Sequence, residues 1–121
     1  MEETLQALAR EPFCYLTTTG RHSGRDHTIE IWFALDQTTL YMLAGGREKS
    51  DWVRNARQTP QVRIRIGTQH FSGLARDVRD GDEDALARRI VYDKYAPTED
   101  DLEEWAATSL PIAIDLHQSG S

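Results

Sequence analysis

Thr28-Ile29-Glu30-Ile31-Trp32-Phe33-Ala34-Leu35 alternates large apolar side chains with polar or smaller ones. A period of two marks a strand with one buried face. Ile29, Ile31, Phe33 and Leu35 make the core side; Thr28, Glu30, Trp32 and Ala34 make the other. Trp32 is the odd member, a large flat ring beside polar neighbours. Asp36-Gln37-Thr38-Thr39 reads as a hairpin turn and residues 40–44 as the return strand. Hairpin linkage makes the pair antiparallel.

Upstream, residues 13–19 read as another strand, rich in aromatic and β-branched residues. A short helix over residues 3–10, capped by Thr4, precedes it and stops before Pro12. Downstream, Gly45-Gly46 breaks the return strand, and Ser50 is placed to cap a helix running to Gln58. Val62, Ile64 and Ile66 mark a half-buried strand, and residues 70–78 its partner, with a bulge expected at Gly73. Residues 80–95 predict a helix with Leu86, Ile90 and Val91 on its apolar face. Thr98 to Asp101 resembles a capping box for a short helix carrying Leu102 and Trp105. Residues 110–116 form a last strand, and 118–121 a disordered tail. About six short strands, mostly joined by hairpins, fit one small antiparallel barrel with peripheral helices, a single domain over residues 1–121.

The chain has 121 residues and a net charge of −6, which hides an asymmetry. Residues 10–76 carry ten Lys/Arg against six Asp/Glu; residues 77–121 carry four against twelve. The first part favours a small anionic ligand. The second argues against general nucleic-acid binding. No apolar run is long enough to span a bilayer. The acidic start lacks the basic region of a secretory leader, so a cytoplasmic protein is expected.

The four histidines form no HxH or HxxxH pair, and a metal site is not expected. Cys14, the only cysteine, reads as a buried inert thiol. Three clusters look convergent instead. One is Arg21-His22-Ser23-Gly24-Arg25, a turn able to aim guanidinium, hydroxyl and backbone N–H groups at one anion. The second is Gly45-Gly46-Arg47-Glu48-Lys49-Ser50, running into a helix N-terminus. The third pairs Trp32 with Trp52. A phosphorylated, flat aromatic ligand would use all three; the plain alternative is two polar turns and a tryptophan anchoring its helix.

Taken in order, Leu16-Thr17-Thr18-Thr19-Gly20-Arg21-x-Ser23-Gly24-Arg25, Ile31-Trp32-Phe33, Gly45-Gly46, Ser50-Asp51-Trp52-Val53-Arg54-Asn55 and Pro60-x-Val62 resemble the deazaflavin-dependent nitroreductase family of flavin/deazaflavin oxidoreductases. The resemblance covers residues 12–78 well. It implies the FMN-binding split β-barrel fold, like pyridoxamine phosphate oxidases, and commonly a homodimer. It implies that Arg21, Ser23 and Gly24 hold the phosphate of the deazaflavin coenzyme F-420. Arg25 supports them, with His22 and His27 standing where relatives often carry Lys and Arg. Trp32 is expected to line the ring pocket. Gly45, Gly46, Lys49, Ser50, Trp52 and Asn55 fall in the second cofactor-contacting segment, and Tyr92 and Tyr95 on the substrate side. The implied reaction is hydride transfer from the reduced coenzyme to a quinone, nitro compound or activated alkene. Two alternatives stand beside it: an FMN-dependent oxidoreductase, and a non-catalytic binder of flavin, haem or another flat anion such as a fatty acid.

Overall fold

The alternating segment does form a strand, but in two pieces that belong to opposite edges of the sheet. The computed structural model describes residues 2–118. Its strands are β1 (Cys14–Thr19), β2 (Asp26–Ile31), β3 (Ala34–Asp36), β4 (Thr39–Ala44), β5 (Gln61–Ile66), β6 (Gln69–Asp77) and β7 (Leu110–Gln118). The helices are α1 (Glu2–Leu8), α2 (Asp51–Gln58), α3 (Gly81–Tyr95) and α4 (Leu102–Thr108), with one 3-10 turn at Arg47–Lys49. All pairings are antiparallel, in the order β2-β1-β5-β6-β7-β4-β3. The two edge strands, β2 and β3, are consecutive in the chain and separated only by Trp32-Phe33. The sheet therefore curls until one bent strand serves both edges. Counting β2 and β3 as one restores the six strands expected from the sequence.

The bend has a local cause. Phe33 and Ala34 are both buried, so strict alternation cannot run through them. Phe33 leaves the ladder, and its peptide groups must find other partners. Its N–H donates to the Tyr95 hydroxyl at 3.0 Å. Its carbonyl accepts from the same hydroxyl at 3.1 Å and from Lys94 Nζ at 2.9 Å. The Tyr95 hydroxyl also lies 2.8 Å from the Pro12 carbonyl. The last turn of α3 thus substitutes for the missing ladder bonds. Lys94 additionally sits 3.6 Å from the Phe33 ring centre, and burial lowers its pKa to about 8.

The barrel interior is filled by Leu16, Phe33, Leu40, Met42, Val62, Ile64, Ile66, Phe71 and Ile114, with Ala56 of α2 closing one side. A second cluster lies outside the barrel wall, where α3 and α4 cover Tyr41, Leu43 and Ala113. This explains the continuous apolar run of β4, which is buried on both faces. The fully buried stripe of α3 is Ala87, Val91 and Tyr95. Of the expected Leu86, Ile90 and Val91, only Val91 belongs to it; the other two are half-buried beside it.

Arg76 of β6 anchors the start of α3. It forms paired bonds to Glu83 at 2.8 and 2.7 Å, and reaches Asp115 of β7 at 2.7 Å. Tyr41 donates to Glu83 at 2.6 Å. Arg76, followed by Tyr41, holds the Glu83 carboxyl down at about 2. Asp80 caps α3 by accepting from the Glu83 N–H.

Other local expectations change. Gly73 is not at a bulge: it pairs in register with Val62 and Leu116. Its reason is space, because a Cβ there would lie 2.6 Å from Ile114 Cγ2. The capping box before α4 does not form. Its N-cap, Asp101, takes left-handed φ of 60° and its side chain makes no cap bond. Ser50 is the N-cap of α2 by position, yet its hydroxyl makes no cap bond either. Of the predicted tail, Gln118 continues β7 opposite Phe71, and residues 119–121 lie outside those described. No helix among the described residues is long and apolar enough to cross a membrane.

Candidate functional site

The β1–β2 connection, residues 20–25, is closed by its own backbone. The Gly20 N–H donates to the Arg25 carbonyl at 2.7 Å, and the Gly24 N–H to the Gly20 carbonyl at 2.9 Å. Gly24 has φ +73°, a conformation that favours glycine. Ser23 Oγ accepts from the Arg25 N–H at 3.1 Å. A Cβ on Gly20 would stand 2.6 Å from His27 Nε2 and 2.8 Å from Ser23 Oγ. Glycine is what lets these two polar side chains close over the turn.

Asn55 docks this turn on α2. Buried at 5% exposure, its Oδ1 accepts from the Arg21 N–H at 3.1 Å and from the Arg21 guanidinium at 2.9 Å. Its amide donates to Thr18 Oγ1 at 3.3 Å. The Arg21 guanidinium also pairs with Asp51 at 3.1 Å. Arg21's side chain is 19% exposed and that of Asp51 is 84%. The carboxylate therefore covers the guanidinium from the solvent side, where an entering anion can replace it.

Between the turn and α2 lies a cleft of about 450 Å³. Arg21, His22, Ser23, His27, Trp52 and Asn55 line it, with Thr18, Ile29 and Asp51. Six of the residues singled out from the sequence thus meet in one place. The others do not line this cleft. Gly24 and Arg25 are exposed in the same turn. Gly45, Gly46 and Lys49 are exposed, and Ser50 is half-buried. The Gly45-Gly46 turn instead delivers Arg47 to the Thr108 carbonyl at the end of α4.

Trp32 lines a second recess of about 550 Å³, with Glu30, Ile31, Leu43, Leu102 and Trp105. One face of Trp32 is stacked on Tyr95, with ring centres 4.2 Å apart and planes 7° from parallel. Trp105 meets it edge-on at 5.7 Å. Tyr95 is 5% exposed, its hydroxyl is engaged by the backbone at Phe33 and Pro12, and burial raises its pKa to about 12. Tyr92 donates to Glu103 at 3.1 Å across the α3–α4 contact. Cys14 is fully buried, which pushes its thiol up to about 12 and leaves it protonated.

Asp51, Ile29 and Trp105 were not singled out as site residues. Ile29 was legible only as core, and Trp105 only as a helix anchor. Asp51 read as a favourable first-turn acid, which it also is.

The donor set suits a phosphate. One guanidinium, two imidazoles and a hydroxyl converge on a cleft with an apolar wall of Trp52 and Ile29. A curled antiparallel sheet whose one bent strand serves both edges is a split β-barrel. The family model described as F420H2-dependent quinone reductase matches residues 2–117. The chain belongs to that family and is an F-420-dependent oxidoreductase. Solved structures of similar fold include one described as an F420H2-dependent reductase, 21% identical, covering 88% of this chain and 94% of its own, with a TM-score of 0.69. Another, described as a putative pyridoxamine 5′-phosphate oxidase from Listeria innocua, is 20% identical over 97% of this chain and 94% of its own, with a TM-score of 0.73. The haem storage protein HutZ from Vibrio cholerae is 16% identical over 98% and 91%, with a TM-score of 0.70. At these identities the likeness establishes the fold alone.

Proposed function

We propose that this protein reduces a quinone with reduced coenzyme F-420, and that Arg21, His22, Ser23 and His27 hold the coenzyme's phosphate. When bound, the reduced deazaflavin supplies a hydride. A proton completes the conversion of quinone to hydroquinone, while the coenzyme is oxidised. Nitro compounds and activated alkenes are acceptors of the same electron-poor kind.

One observation carries the reading. Ile29 lines the anion cleft and Ile31 lines the aromatic recess. They are two residues apart in β2 and so point to the same face, about 7 Å apart by strand rise. β2 is an edge strand, so an elongated ligand with an anionic end and a flat end can run along it from Arg21 towards Trp32, whose side chain belongs to its other face. Arg21 and Ser23 donate to the anion. The imidazoles of His22 and His27 each offer a ring N–H to it. Trp52 offers an apolar wall, and neither cleft supplies an exposed thiol or a hydroxyl activated as a nucleophile. The protein's part is binding, orientation and exclusion of water.

The same reading includes a homodimer. The outer faces of β1, β5 and β6 present half-buried Tyr15 and Arg65 and the exposed Leu74. The test is oxidation of reduced F-420 by a neutral quinone, followed at the coenzyme absorbance. Turnover with F-420 and none with FMN supports the reading. Turnover with FMN alone overturns it.

A further inference from the structure

We infer that the recess behind α2, between that helix and the β6–β7 pair, binds a small apolar monocarboxylate about one ring in size, with Arg57 receiving its carboxylate. The site is separate from the two clefts described above and needs no coenzyme. Trp52 and Asn55 of α2 line the anion cleft, whereas Val53, Ala56 and Arg57 line this recess. With about 3.6 residues per turn, the two sets fall on nearly opposite faces of the helix.

The recess exists because small side chains meet at it. Ala56 on the helix and Ala75 on β6 are too short to close the gap. Its floor is Val53 and Ile112, both buried. These two form an apolar cluster with Ala44, apart from the barrel interior. Pro60 closes one end and is held there, because its carbonyl accepts from the Ala75 N–H at 2.9 Å. The volume is about 160 Å³. An apolar cavity of about 150 Å³ takes up benzene. One ring or a short branched chain therefore fits, and a fused ring system does not.

The rim supplies the charge. Arg57 meets Asp77 through Nε at 3.2 Å and Nη2 at 3.1 Å, both on the one oxygen Oδ1. Arg79 Nη2 lies 3.6 Å from the other oxygen. Two guanidiniums thus share one carboxylate, and Asp80, next in the chain, is engaged in capping α3. A guanidinium carries five N–H donors in a fixed fork. Arg57 turns only its Nε–Nη2 edge to Asp77, so its Nη1–Nη2 edge is open to a second carboxylate. Arg76, also on the rim, has no such freedom, because Glu83 and Asp115 take its donors. A neutral ring would use the floor without the fork, and a phosphate the fork without the floor. An apolar carboxylate uses both.

The test follows backbone amide chemical shifts of the isotope-labelled protein, without coenzyme, during titration with benzoate and with its neutral isostere benzamide. Saturable shifts at Val53, Ala75 and Ile112 are expected with benzoate, at a Kd of about 1 mM or tighter for so small a ligand. Benzamide should bind about tenfold more weakly. Arg57→Gln should weaken benzoate about five- to tenfold and leave benzamide unchanged, which separates the charge from the cavity. The Arg57–Asp77 pair lies at the surface, so this variant should fold with little change in Tm. Ala75→Val puts a branched side chain into the recess and should abolish binding of both compounds at an unchanged or higher Tm. Shifts confined to residues 20–24 place the carboxylate in the anion cleft and overturn the inference. So does equal affinity for the two compounds, an Arg57→Gln protein that binds benzoate unchanged, or no saturable shift at all.

Discussion

Tyr95→Phe separates a structural clamp from a proton donor. The substitution keeps the ring, and with it the stack on Trp32 at 4.2 Å. It removes the acceptor of the Phe33 N–H and the donor to the Pro12 carbonyl. Phe33 is fully buried, so its N–H has no water to turn to. An orphaned buried donor costs about 1–3 kcal/mol. The Phe33 carbonyl keeps Lys94, which limits the damage on the acceptor side. A net loss of about 2 kcal/mol corresponds to about 8 °C in Tm for a chain of this length. Thermal unfolding followed by circular dichroism measures it. An unchanged Tm together with lost turnover would refute the clamp and return Tyr95 to the chemistry.

Four further outcomes follow from the same geometry. Asp51→Asn frees the Arg21 guanidinium and removes a negative charge from the cleft, so F-420 should bind tighter, up to about fivefold, in an equilibrium titration. Weaker binding would mean Asp51 positions Arg21 rather than masking it. Glu83 has a folded pKa of about 2, below its ordinary value of 4.5. Its contribution to stability is complete above pH 4.5 and is lost as pH falls toward 2. Glu83→Gln should therefore flatten the decline of Tm with acid over that window, and an undiminished slope would rule it out. Gly73→Ala forces a Cβ to 2.6 Å from Ile114 Cγ2 and 3.0 Å from a backbone oxygen, at about 1–3 kcal/mol in chemical denaturation. Gly81→Ala, with nothing within 4 Å, should be neutral or stabilising.

The barrel was legible because its strands alternate and its turns are marked. Val62, Ile64 and Ile66 point inward as their spacing requires. The turn over residues 20–25 was legible because its glycines stand where the chain must close and take positive φ, as Gly24 does. What periodicity could not show was the bend at Trp32-Phe33. The peptide groups it frees are met by a tyrosine 62 residues away, and no local pattern encodes such a partner. The same blindness misread α3. Ala87 is too small to signal a core position, and Tyr95 looked like a polar tool when it is the end of the buried stripe. Gly45-Gly46 looked like a phosphate turn, and its flanking Arg47 instead ties down α4, a contact set by the curl of the sheet. Asp51 was invisible as a competitor because the sequence does not say that it lies 3.1 Å from Arg21.

Titration of oxidised F-420 into the protein, read by quenching of Trp52, decides whether the cleft between residues 20–25 and α2 holds the phosphate of F-420. Saturable quenching at micromolar coenzyme is expected, with a loss of about ten- to a hundredfold in affinity for Arg21→Ala, the equivalent of one charge-assisted hydrogen bond at about 1.5–3 kcal/mol. An Arg21→Ala protein that folds normally and binds F-420 with an unchanged Kd would contradict that placement.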